Sequence, residues 1–151
     1  MKYFIATLLF LVSYTSTLYA QDQQTQLQTK SNHIAVSVTN LEESEEFYRD
    51  FLGLKQIDEP FNDGLHAWFD IGGTQLHLIE SADERRERSI NNHLCFSTAD
   101  LESFVETLRS NNIEFRNWAG DPNEITLRPD GISQIYFKDP DGFWIEMNDD
   151  F

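Results

Sequence analysis

Short stretches of alternating apolar and polar residues run along this chain, and they come in two matching sets. From Asn32 to Val38, Ile34, Val36 and Val38 share one face while His33, Ala35 and Ser37 share the other, which is a strand with one buried side. Asn40 then caps a helix, with Glu43 as the reciprocal capping-box partner. Leu41, Ser44, Phe47, Tyr48, Phe51 and Leu52 follow at helical spacing, and Gly53 ends the helix. A short strand is expected at 54–57, a turn at Asn62-Asp63-Gly64, and a strand at 65–71 with Ala67, Phe69 and Ile71 opposite His66, Trp68 and Asp70. Gly72-Gly73 turns the chain into a strand at 74–80, where Leu76 and Leu78 oppose Gln75, His77 and Ile79. The first unit therefore reads β-α-β-β-β.

After a charged connector at 81–91, which reads as solvated surface, the pattern restarts. A strand at 92–98 sets Leu94 and Phe96 against His93, Cys95 and Ser97. Asp100 caps a helix carrying Leu101, Phe104, Val105 and Leu108, and Asn111-Asn112 ends it. A strand is expected at 113–118, followed by a loop to Gly131. The hairpin closing the unit runs from Gln134 to Asn148, with Asp139-Pro140-Asp141-Gly142 as its turn. Shifted by 60 positions, Asn32, His33, Ser37, Leu41, Glu42 and Arg49 fall on Asn92, His93, Ser97, Leu101, Glu102 and Arg109. Further on, Gly73, Leu76 and His77 fall on Gly142, Ile145 and Glu146. The chain is an internal repeat.

The repeat carries candidate chemistry. It superposes His33 on His93 and His77 on Glu146, and all four lie on the strand face opposite the apolar stripe. Three of the chain's four histidines hold these positions. Glu146 sits in mid-strand between Trp144 and Asn148, where a carboxylate needs a partner or a metal. Imidazole and carboxylate are ligands for Zn, Ni, Co, Fe and Mn ions, so one divalent metal held by His33, His77, His93 and Glu146 is expected. Trp68, Asp70, Gln134, Tyr136 and Trp144 share the predicted face; Trp68, Tyr136 and Trp144, with Arg128 from the loop, are the weaker substrate-binding candidates. Lys138 is a second cation suited to an anionic substrate group. Cys95 needs no role, and His66 is a weak candidate base in the hairpin after the Asn62-Asp63-Gly64 turn.

Length and charge narrow the partners. At 151 residues, the chain suits one domain. Formal net charge is −15, and removal of Lys2 would take it to −16, so nucleic acid is not an expected partner. The basic Met1-Lys2 head, the apolar run from Tyr3 to Val12 and the small residue Ala20 read as a signal peptide over 1–20, cleaved near Ala20. Residues 21–30, rich in glutamine, read as a flexible leader, and the folded domain is placed at 31–151. A periplasmic or secreted location follows, with no membrane contact after cleavage. A single cysteine excludes an intrachain disulfide.

The stretches NHIAVSVTNLEESEEFYRDFLGL, TQLHLIE, NHLCF and FKDPDGFWIEM resemble the vicinal oxygen chelate superfamily of glyoxalases, bleomycin resistance proteins and extradiol dioxygenases. The resemblance spans about Ser31 to Asn148. It implies an α+β fold in which two tandem βαβββ modules form a half-open, eight-stranded, barrel-like cleft with one helix per module. It also implies a divalent metal at His33, His77, His93 and Glu146, a small-molecule substrate and a homodimer whose clefts are shared between modules of two chains. The implied activity is that of a glyoxalase I-like lyase or isomerase, in which the metal stabilises an enediolate or oxyanion and Glu146 shuttles a proton. His77 departs from the pattern, since glyoxalase I enzymes usually have glutamate there. An Fe(II) dioxygenase using His33, His93 and Glu146, and a non-catalytic binding or resistance protein, are the alternatives. An exported location weakens any step that depends on glutathione, a chiefly cytosolic thiol.

Overall fold

The computed structural model describes residues 29–81 and 87–151. The expected signal peptide, residues 1–20, and most of the leader lie outside them. The described chain forms two sheets. In the first, β1 (His33–Val38) lies parallel to β4 (Gln75–Glu80), followed by β3 (His66–Asp70) and β2 (Lys55–Ile57) in antiparallel pairings. In the second, β5 (His93–Ser97) lies parallel to β9 (Trp144–Asn148), followed by β8 (Ser133–Lys138) and β6 (Phe115–Arg116), and the short β7 (Thr126–Leu127) also pairs with β8. Each sheet has its helix, α1 (Leu41–Glu46) or α2 (Leu101–Ser110). The architecture is the expected α+β repeat, and neither sheet closes into a barrel.

Local chemistry accounts for the boundaries. Asn40 and Asp100 accept hydrogen bonds from the backbone N–H of Glu43 and Ser103, three residues on, and so cap α1 and α2. The first helix does not stay α-helical to Gly53, as its spacing predicts. From Phe47 to Phe51 it widens into a π-helix, with Leu52 N–H bonding the Phe47 carbonyl at 3.0 Å. The strand expected at 113–118 shrinks to two residues, because Asn117 and Asp121 bond each other through side chain and backbone and curl the chain away.

The apolar stripes of both modules feed one core. Val36, Phe69, Leu76 and Leu78 from the first sheet join Leu94, Ile135, Phe137 and Ile145 from the second. Phe51 on the first helix contacts Phe104 on α2 and Phe137 on β8. Burying a side chain of this size contributes roughly 1.5–3 kcal/mol, so the shared core ties the modules together. Each sheet turns its other, more polar face away from that core, and those faces carry the candidate ligands.

Candidate metal centre

The parallel pairing of β5 with β9 sets Cys95 beside Glu146 and His93 beside Trp144, and the β8–β9 hairpin sets Tyr136 opposite Glu146. Glu146 is only 6% exposed. Tyr136 Oη donates to its Oε2 at 2.6 Å, Asn148 Nδ2 to its Oε1 at 3.1 Å and Cys95 Sγ to Oε1 at 3.4 Å. Gln134 Nε2 in turn donates to Tyr136 Oη at 2.7 Å. Burial pushes the Glu146 carboxyl up, but the bonds from Tyr136, Asn148 and Cys95 and the neighbouring His93 outweigh it and hold the group below its usual range. The carboxylate thus has protein partners of its own, and its burial alone does not demand a metal.

The position of His93 argues more directly. Its Nδ1 stands 2.7 Å from the Ile90 carbonyl. A carbonyl only accepts, so Nδ1 carries the proton and, in the neutral ring, Nε2 presents a lone pair. That Nε2 lies 3.2 Å from Glu146 Oε2. Two acceptors facing each other at this distance require a cation between or beside them, either a proton or a metal ion. The backbone carbonyl that orients the ring is the second contact that metal-binding histidines usually make. These two side chains fit a divalent metal.

His33 and His77 form a separate pair on the first sheet. Nδ1 of His33 donates to Asn32 Oδ1 at 2.7 Å, leaving Nε2 free to ligate. His77 is 8% exposed, and its Nε2 bonds Gln75 Oε1 at 2.9 Å. Burial, then the nearby His33, lower its pKa and keep the imidazole neutral, as a ligand must be. The two rings stack at 4.2 Å with 8° between their planes, and Trp68 stacks on the far side of His77 at 3.9 Å. In-plane lone pairs of parallel rings run side by side, so both can meet one ion only if one ring turns.

The four expected ligands therefore form two pairs. Among the described residues, no group of three or more His, Cys, Asp or Glu side chains lies together as a metal site. Of the other candidates, Tyr136 proves to be the strongest donor to Glu146, and Trp68 buttresses His77. Trp144 donates its indole N–H to the Arg88 carbonyl at 2.9 Å. Arg128 pairs with Asp130 at 2.5 Å, which occupies one end of its guanidinium. Burial, then the charge of Glu146, push the Cys95 thiol up to about 12, so it is no thiolate nucleophile at neutral pH. Asn148 has no chemical signal in the sequence pattern, but its register opposite Gln134 places both beside the Glu146–Tyr136 pair.

Residues 30–147 match the family model of the Glyoxalase/Bleomycin resistance protein/Dioxygenase superfamily. The chain belongs to this superfamily. The metallothiol transferase FosB of Staphylococcus haemolyticus is 31% identical over 121 residues, a stretch covering 78% of this chain and 81% of that protein. The manganese-dependent 2,3-dihydroxybiphenyl 1,2-dioxygenase of Geobacillus genomosp. 3 is 30% identical over 122 residues, covering 78% of this chain and 36% of that longer protein. Among solved structures, a glyoxalase/dioxygenase from Nostoc punctiforme superposes with a TM-score of 0.64 at 26% identity, covering 79% of this chain and 89% of that one. The divalent metal expected from the sequence agrees with the metal dependence of such relatives.

Proposed function

We propose that this protein is a divalent-metal-dependent enzyme of glyoxalase type, acting as a homodimer on a small oxygenated substrate. The observation that carries the reading is the opposition of His93 Nε2 and Glu146 Oε2 at 3.2 Å, two donor atoms close enough to ligate one ion. When bound, the metal acts as a Lewis acid on two adjacent substrate oxygens. The remaining work falls to the chain. His93 is held in its ligating tautomer by Ile90. Glu146 is kept ionised by its donors, so one of its oxygens takes a proton from the substrate and returns it. Tyr136 fixes the carboxylate at Oε2 and Asn148 at Oε1, which orients the proton-accepting lone pairs. Trp144 beside His93 and Trp68 against His77 supply an apolar wall to each of the two ligand pairs.

A second reading, transfer of an external thiol to an electrophilic substrate, is favoured by the metallothiol transferases among the relatives. Disappearance of an added thiol during turnover separates transfer from isomerisation.

The deciding experiment loads metal into wild type, Glu146→Gln and His93→Ala and measures bound metal and turnover together. His93→Ala should lose metal. Glu146→Gln should lose proton-transfer activity by roughly 10²-fold or more, the scale of a lost general base. Wild-type turnover by metal-loaded Glu146→Gln would remove Glu146 from the mechanism. The reading also includes export, supported by the Lys2 head and the apolar run that follows it. Mass spectrometry should find a mature N-terminus near Gln21, and intact Met1 on cytoplasmic protein would refute this.

A further inference from the structure

At one end of the sheet face that carries Glu146, a cavity of about 480 Å³ is lined by Arg116, Lys138 and Trp144, with Phe115, Pro122 and Asn123. The strand registers fix its place. Lys138 pairs with Trp144, Tyr136 with Glu146, and Arg116 with Tyr136, so these side chains share one face. Lys138 is thus one strand spacing, about 4.8 Å, from Trp144, which is itself two residues from Glu146 along β9.

Both cations converge on one ring. The guanidinium carbon of Arg116 lies 4.8 Å and the ammonium of Lys138 lies 4.7 Å from the Trp144 ring centroid. The indole is fixed beneath them by its bond to the Arg88 carbonyl. A cation held over an aromatic face keeps its N–H groups for another partner. Among the described residues neither cation has a carboxylate within ion-pair distance, whereas Arg49, Arg109 and Arg128 pair with Asp50, Glu106 and Asp130. Glu114 lines the same cavity but stands beyond ion-pair distance of both. In a chain of net charge −15, two unneutralised cations gathered on one buried ring are an unusual arrangement. Their mutual repulsion is relieved by an anion.

We propose that the Arg116–Lys138–Trp144 cavity is the subsite for an anionic group of the substrate, of the phosphate, phosphonate or carboxylate class. The inference rests on the metal-centred reading above and narrows it. The substrate presents adjacent oxygens to the metal and an anionic oxygen group to this cavity. Two cations favour a dianion over a monoanion, and the guanidinium offers a paired N–H edge to its oxygens.

The test is calorimetric titration of wild type, Lys138→Gln, Arg116→Gln and the double variant with inorganic phosphate, acetate and chloride at low ionic strength. His93→Ala is included, and metal content is measured on every sample. Wild type should bind phosphate more tightly than acetate and both more tightly than chloride. Each single variant should lose at least about tenfold in phosphate affinity and the double variant more, while His93→Ala keeps phosphate binding as its metal falls. Phosphate bound by wild type no better than chloride, or equally well by the double variant, overturns the subsite. Lys138 is exposed, so its variant decides the matter even if Arg116→Gln does not fold. Metal without phosphate binding removes the subsite alone. Phosphate binding by a wild type that takes up no metal leaves the cavity and removes the metal reading.

Discussion

Tyr48 is fully buried, and its hydroxyl donates to Asp139 Oδ2 at 2.9 Å, while the backbone N–H groups of Asp141 and Phe143 donate to Oδ1. Burial pushes the Asp139 carboxyl above its usual pKa, and the bonds from Phe143 and Tyr48 pull part of the way back. Tyr48→Phe removes one of those bonds and should cost about 1.5–3 kcal/mol at neutral pH, as for a lost bond to a charged group. It also raises the pKa of folded Asp139 further. A carboxyl raised in the folded state favours folding below its unfolded pKa and loses that contribution as pH rises through the folded value. The deficit of Tyr48→Phe is therefore complete above the folded-state pKa and narrows as pH falls through it. Urea unfolding at several pH values measures this, and an equal deficit at every pH would remove Asp139 from the account. At this scale the sequence was partly legible. Strand alternation puts Tyr136 on the face that carries Glu146, but only the structure sets the two opposite each other and reveals that the tyrosine hydroxyl holds the carboxylate. The Tyr48–Asp139 bond joins residues 91 apart and had no signal in the pattern.

Strand alternation and helix caps were the legible part among the elements. The first β-α-β-β-β unit, the Asn40 and Asp100 caps and the hairpin turn stand where periodicity and turn chemistry put them, and the second unit keeps that order with a shortened β6 and the added β7. What escaped were features set by tertiary contact. Turn chemistry predicts only a reversal of the chain here, and the structure makes the same turn a clamp. Asp141 Oδ1 accepts from the backbone and hydroxyl of Thr39, and its Oδ2 accepts from Ser44, so the turn of the second module grips the start of α1 in the first. The π-turn that follows brings Tyr48 onto Asp139 and Phe47 and Phe51 against Phe137. Apolar spacing alone cannot separate α from π geometry over one turn. β7, of two residues, is too short to leave a periodic trace.

Across the whole molecule, the shared core decides how a metal site can be completed. Both sheets spend their apolar faces on it, so the His33–His77 pair and the His93–Glu146 pair lie on two different outward faces. The sequence repeat makes the pairs equivalent but does not say whether they meet within a chain. In a two-fold dimer, the first module of one protomer can face the second module of its partner, and two complete sites form at once. This arrangement predicts complementation. Take one variant carrying His33→Ala and His77→Ala, and another carrying His93→Ala and Glu146→Ala. Each alone should hold no metal. Co-expressed in equal amounts, half of the dimers are mixed, and each mixed dimer has one site with all four ligands and one with none. Metal content should recover to about a quarter of wild type. Elemental analysis of the isolated mixed dimer gives the answer directly. One ion per mixed dimer establishes sites shared between protomers. No recovery, with the dimer intact, means that each chain must close its own site, and the outward placement of the two pairs would then have to change on metal binding.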